Sequence, residues 1–201
     1  CVHGHQVSQG VAEALNAEGR RAFFLEGGFA DWQAGGGQCD SKPEGASTRW
    51  VTRERPKIDR IACSWLISRF VDKDAEFLYF PANEVRDVAK ARHATPFDVA
   101  VAYFSNDGDL CSFDAFLRHY RLNDPALRQL AIIVRGADTG RPELAPQVPG
   151  LVSISLGLSR NFADDHEMLA HGMVMYDALY AATGGDPIRP PVKRSDVRPW
   201  Q

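Results

Sequence analysis

The chain has 201 residues, of which 44% are hydrophobic and 24% charged, with a formal net charge of -3; this fits one or two soluble globular domains and gives no electrostatic reason to expect nucleic acid or an anionic membrane as a partner. No apolar run approaches the roughly 20 residues that cross a bilayer, and no secretion signal is visible. Cys1, Cys39, Cys63 and Cys111 lie far apart without CxxC pairing, which argues against a zinc ribbon or a disulfide scaffold and makes a reducing cytoplasm the expected compartment.

The sequence opens on Cys1 instead of Met, so a preceding segment is expected to have been removed or left out. Lipoprotein processing also leaves a cysteine first, but a flexible tether should follow it, and here helical spacing begins at Val11. Ser8 as N-cap, Val11 and Leu15 as apolar stripe and Gly19 as stop predict a helix over 8–19 after an entry loop. AFFLEGG, residues 22–28, reads as a short buried strand, and FADWQAGG as a brief helix packed through Trp32. A glycine-, serine- and charge-rich linker follows, residues 38–47.

RWVTRE, residues 49–54, alternates like a strand, and KIDRIACSWLISRFV carries apolar residues at helical spacing that should bury one side. EFLYF, residues 76–80, is a strand stopped by Pro81; ANEVRDVAKARH is an exposed helix; VAVAY, residues 99–103, reads as another strand. Three helices are expected next: SFDAFLRHY, a second entered through Pro125, and a long third from about Leu151 to Ala182. The tail, residues 184–201, is proline-rich.

CVHGHQVS leading into a helix suits sulfur chemistry, because backbone N–H groups at a helix start stabilise a thiolate or persulfide. Together with FLEGGFADWQAGG it resembles the C-terminal half of a rhodanese domain over residues 1–37. That resemblance implies Cys1 as persulfide carrier, Val2, His3, Gly4, His5 and Gln6 as its cradle, a sulfur donor such as thiosulfate, and a thiol acceptor. The first strands and helices of such a domain do not precede Cys1 in this sequence, so the plainer reading is an exposed thiol on an incomplete domain.

Arg53, Arg55, Lys57 and Arg60 crowd one stretch and can hold an oxyanion such as chromate through charge-assisted hydrogen bonds; a solvated strand edge is the alternative. Asp114 in the first turn of one helix is expected to cap it, while Asp138 at the end of the next needs a partner such as Arg135, Arg141 or a metal. Asp164, Asp165 and His166 are consecutive and cannot share one helix face. Asp114, Asp138, Asp165 and His166 are therefore candidate ligands of a divalent metal ion, with salt bridging as the alternative. Cys63 should be buried, and Cys111 beside a helix start is the candidate reactive thiol.

RWVTRERPKIDRIACSWLISRF, CSFDAFL, IIVRGADT and SISLGLSRNFADDHEMLAHGMVMYDALY resemble the C-terminal domain of the chromate-resistance protein family over residues 48–183. The family includes chromate-responsive regulators and fusions in which a rhodanese-like domain comes first. A histidine-bearing turn precedes CSFDAF in many relatives; here that turn is YFSNDGDLC. The expected fold class is α+β: a truncated rhodanese-like α/β segment, then a helix-rich α+β domain. The resemblance implies a bacterial cytoplasmic accessory of a chromate exporter. Three functions compete: sulfur transfer by Cys1, non-enzymatic oxyanion or metal sensing, and chromate reduction by Cys63 or Cys111. No nucleotide fingerprint is present, so the third needs an external electron source.

Overall fold

In a computed structural model that describes residues 6–36, 47–100, 102–186 and 188, the chain divides into two compact units, Cys1–Ala46 and Ser47–Gln201. In the first, α1 spans Gln6–Ala17 and α2 spans Gly28–Ala34. Gly19 ends the turn after α1 with φ +79, and Asn16 exchanges two hydrogen bonds with the Ala22 backbone, at 2.9 and 3.1 Å. The strand expected over 22–28 is absent, and Phe23 is 82% exposed. A strand exists only where its N–H and C=O groups meet a ladder partner, and the described residues of this unit form helices and turns alone. The α/β character expected there is not seen among them.

The second unit mixes helix and sheet. β1 is Arg49–Arg53, β2 is Glu76–Phe80 and β3 is Thr95–Pro96, ordered β2-β1-β3 with both pairings parallel. Parallel neighbours need crossovers. α3, Ile58–Leu66, with a π-helical turn at Ile67–Val71, makes the first, and α4, Val85–Arg92, the second. Pro96 cannot donate to a ladder, which suits an edge strand. The described residues of 99–103, where a strand was expected, are bend, turn and coil. Asp98, at φ 49, turns the chain out after Phe97, and only an isolated bridge joins Phe97 to Phe104.

Helices α5, Ser112–His119, α6, Pro125–Asp138, α7, Val148–Asn161, and α8, Asp165–Ala182, complete the unit. α3 lies between sheet and helices, so Ile61 to Leu66 are all buried, not one side only as amphipathic spacing suggested. Among the described residues Trp65, Tyr176, Phe97, Phe113 and Phe116 are the largest fully buried side chains. The single long helix expected at the C-terminal end is two. Asp164 caps α8 by accepting from the Glu167 N–H at 2.8 Å. The end of α7 is held from outside: the Arg55 guanidinium donates to the carbonyls of Ser159, Phe162 (3.0 Å) and Ala163 (2.8 Å), and the Arg55 N–H donates to Asp165 Oδ2 at 2.9 Å. No helix among the described residues is long and apolar enough to cross a membrane.

Candidate functional site

The end of β1, the start of α3, the turn after β3 and the facing ends of α5 and α6 converge on one polar cluster. β1 delivers Arg53 and the first turn of α3 delivers Arg60. Both guanidiniums approach the same carboxylate, with Arg53 Nη2 at 3.5 Å and Arg60 Nε at 3.7 Å from Asp98 Oδ2. The left-handed backbone at Asp98 aims that carboxylate back over the sheet edge. Ser112 Oγ lies 3.0 Å from Asp98 Oδ1 and 3.0 Å from Asn106 Oδ1. Asp138, the last residue of α6, lies near the Asn106 amide and feels the charges of Asp98, Arg60 and Arg53.

Beneath these groups Asp59 is buried in α3. It accepts from the backbone N–H groups of Ser112 at 2.8 Å and Phe113 at 3.1 Å, so a side chain of α3 caps the start of α5. Burial, then the neighbouring charges of Asp98 and Asp138, push its carboxyl up to about 7 against the pull of the two N–H donors. Burial and Asp98 likewise raise Asp138. Burial lowers Arg60, which Asp98 partly offsets. Three carboxyls thus face two guanidiniums, and protonating one carboxyl brings the cluster to neutrality. Arg60 Nε is buried and has no hydrogen-bond acceptor among the described residues.

Of the four basic residues expected to form an oxyanion cradle, Arg53 and Arg60 come together. Arg55 does not join them: its positive φ of 53 turns it onto the end of α7, where it pairs with Asp165 at 3.5 Å. Lys57 is exposed at the N-cap of α3. The four proposed metal ligands are scattered. Asp114 is gripped by Arg135 at 2.6 and 3.1 Å and accepts from the Cys111 N–H at 3.1 Å. Asp138 is in the polar cluster, Asp165 is on Arg55, and His166 packs edge-on against Tyr79 at 5.2 Å. Among the described residues no three His, Cys, Asp or Glu side chains are grouped to hold a metal.

Cys111 is fully buried, and burial followed by Asp59 and Asp114 pushes its thiol well up. That is opposite in direction to the depression expected beside a helix start: burial outweighs the Asp114 N–H that still reaches the sulfur, and the Ser112 and Phe113 N–H groups are engaged by the Asp59 carboxyl. Cys63 is also buried and donates to Asp59 Oδ1 at 3.6 Å. Cys1, Val2, His3, Gly4 and His5, with Cys39, lie outside the described residues, and Gln6 opens α1. Asp59, Asp98, Asn106 and Ser112 were missed. A charged residue amid the apolar run IDRIACSWL was a legible signal for Asp59; Asp98 lies between the segments read as helix and strand and carried none.

Residues 50–183 match the family described as ChrB, C-terminal domain. Over 133 residues the chain is 32% identical to Protein ChrB of Cupriavidus metallidurans, a match spanning 66% of this chain and 40% of that protein. No solved structure matches the chain.

Proposed function

Since this chain belongs to the family of ChrB C-terminal domains, the chromate-resistance family that its sequence resembles, we propose that the unit from Ser47 onward serves chromate resistance in the cytoplasm as a binding module for a tetrahedral oxyanion. The observation that carries this reading is the buried Arg60 Nε, which makes no hydrogen bond among the described residues and meets Asp98 Oδ2 only at 3.7 Å. A buried donor left unmet costs about 1–3 kcal/mol, and an oxyanion oxygen would recover that. Arg53 Nη2, Ser112 Oγ and Asn106 surround the same place, and Asp98 is the internal counter-ion an arriving dianion would displace. Asp59 and Asp138, biased toward their neutral forms, limit repulsion of that dianion. Thiol-based chromate reduction has less support, because both described cysteines are buried and held as thiols.

Titration calorimetry with sulfate and chromate tests the reading. Sulfate should bind once per chain, and Arg60→Gln should weaken it by about tenfold or more, the loss of one charge-assisted hydrogen bond. Affinity for sulfate should rise from about pH 8 to about pH 6, because Asp59 gains a proton over that range and repels the anion less. Asp59→Asn should flatten the profile. Unchanged affinity in both Arg53→Gln and Arg60→Gln would sink the assignment.

A second reading concerns the first unit. α1 begins at Gln6, so the sequence CVHGH directly precedes a helix start, as sulfur transfer by Cys1 requires. The Cys1 thiolate would attack the sulfane sulfur of thiosulfate and release sulfite; cyanide or a thiol would then take that sulfur and restore the thiolate. Cys1→Ser in the whole protein should abolish thiocyanate formation from thiosulfate and cyanide, and turnover surviving that change excludes the role.

A further inference from the structure

β1, α4 and β3 also border a cleft of about 750 Å³ that shares only Arg53 with the polar cluster. Its floor is apolar. Val85 and Ala89 of α4 and Ala94 belong to a second small core around Val51, on the far side from the aromatic one, and Pro96 and Val99 continue the lining. Its rim is basic. Arg86 and Lys90 stand four residues apart on α4, one above the other on the same face, and Arg53 projects from the end of β1. Asp87 is the one acid that lines it.

Among the described residues Arg53 is paired with Asp98, whereas neither Arg86 nor Lys90 forms an ion pair. Two like charges one helical turn apart disfavour the helix that carries them. The volume is that of a small-molecule site, and such sites combine an apolar lining with a few placed polar groups. A bare inorganic anion would leave the apolar floor unused. An uncharged apolar molecule would leave the two cations unmatched.

We infer that this cleft binds a small organic anion, with its carboxylate or phosphate head held by Arg86, Lys90 and Arg53 and its apolar body lying on Val85, Ala89, Ala94 and Pro96. The inference does not rest on the oxyanion reading, although Arg53 serves both places. A ligand head that draws Arg53 away from Asp98 would loosen the polar cluster, so the two sites are linked through that residue.

The test is titration calorimetry with sodium octanoate, octyl phosphate and octanol. At least one of the two anions should bind once per chain, and the tighter of them identifies the head group. Octanol should bind at least about tenfold more weakly. The double variant Arg86→Glu/Lys90→Glu should lose about tenfold or more of the anion affinity; both side chains are exposed, and a thermal melt verifies folding. The milder Arg86→Gln/Lys90→Gln gives the same reading, with a smaller loss, should the reversal unfold the chain. Sulfate affinity should stay within about twofold in either variant. Octanol binding as tightly as octanoate, absence of binding by both anions, or anion affinity unmoved by either variant overturns the inference, and a parallel loss of sulfate binding overturns the separateness of the cleft.

Discussion

Truncating Trp65 to alanine is expected to cost about 3–5 kcal/mol of folding stability, measured by denaturant unfolding. Its indole is fully buried and meets Phe70, Tyr176 and Tyr180 with ring centroids 5.5, 6.2 and 5.5 Å away. The same side chain carries a polar anchor: Nε1 donates to Asp177 Oδ1 at 2.7 Å, and Arg69 grips that carboxylate at 3.0 and 2.8 Å. α3 and α8 are therefore joined by an aromatic cluster with a hydrogen-bonded edge. The helices approach closely one turn away, where a Cβ on Gly172 would come within 2.4 Å of Ile61 Cγ2. Trp65→Phe separates the contributions. It keeps most of the apolar area, leaves Asp177 with Arg69, and should cost about 0.5–1.5 kcal/mol for the lost hydrogen bond together with a smaller packing term. A loss below about 1 kcal/mol for Trp65→Ala would mean that the α3–α8 contact contributes little to this unit.

The second large effect is expected at Arg135. Replacing it with methionine should cost about 3 kcal/mol, because breaking a largely buried pair strands a charge. The Asp114 side chain, 9% exposed, would remain with only the Cys111 N–H and Sγ within reach. Adding Asp114→Asn removes that charge while keeping an acceptor for the Cys111 N–H. The double variant should therefore regain about 1–2 kcal/mol over Arg135→Met alone. Simple additivity of the two substitutions would show that the pair does not act as a unit. Positioning follows from the same contact: Arg135 is one turn from Asp138 on α6 and Asp114 is two residues past Ser112 on α5, so the pair fixes two walls of the polar cluster.

Much of the larger unit was legible where the signals are local. Alternation marked β1, aromatic composition marked β2 and Pro81 its end, and Pro125 marked the start of α6, capped by Asp124 accepting from the Ala126 N–H at 2.7 Å. What escaped was decided by partners far along the chain. Asp164 with Glu167 three residues on is a helix-start pattern, but the group that receives the α7 carbonyls is Arg55, more than a hundred residues earlier. AFFLEGG has the composition of a strand but no ladder to join among the described residues.

The site divides in the same way. Arg53, Arg60 and Asp138 could be picked out as charges that need partners. Their partner Asp98 could not, because its role depends on a left-handed turn just past a two-residue edge strand that no sequence pattern marked. Arg55 was grouped with Arg53 by proximity in sequence, and a single positive φ sends it elsewhere. Cys111 shows a local rule overridden by tertiary packing: burial raises the thiol more than the helix start can lower it, and Asp59 from α3 takes the Ser112 and Phe113 N–H groups.

The position of Asp59 also makes folding a proton-binding event. Its carboxyl titrates at about 7 in the folded chain and near the ordinary 3.8 once exposed, so between those values the native state carries a proton that the unfolded state gives up. Stability from this group is full below the lower value and declines as pH rises through the upper one. Near neutrality, unfolding therefore passes a fraction of a proton to the buffer. The heat measured on melting then contains the buffer's own ionisation enthalpy, and the same chain unfolds with different apparent enthalpies in phosphate and in an amine buffer.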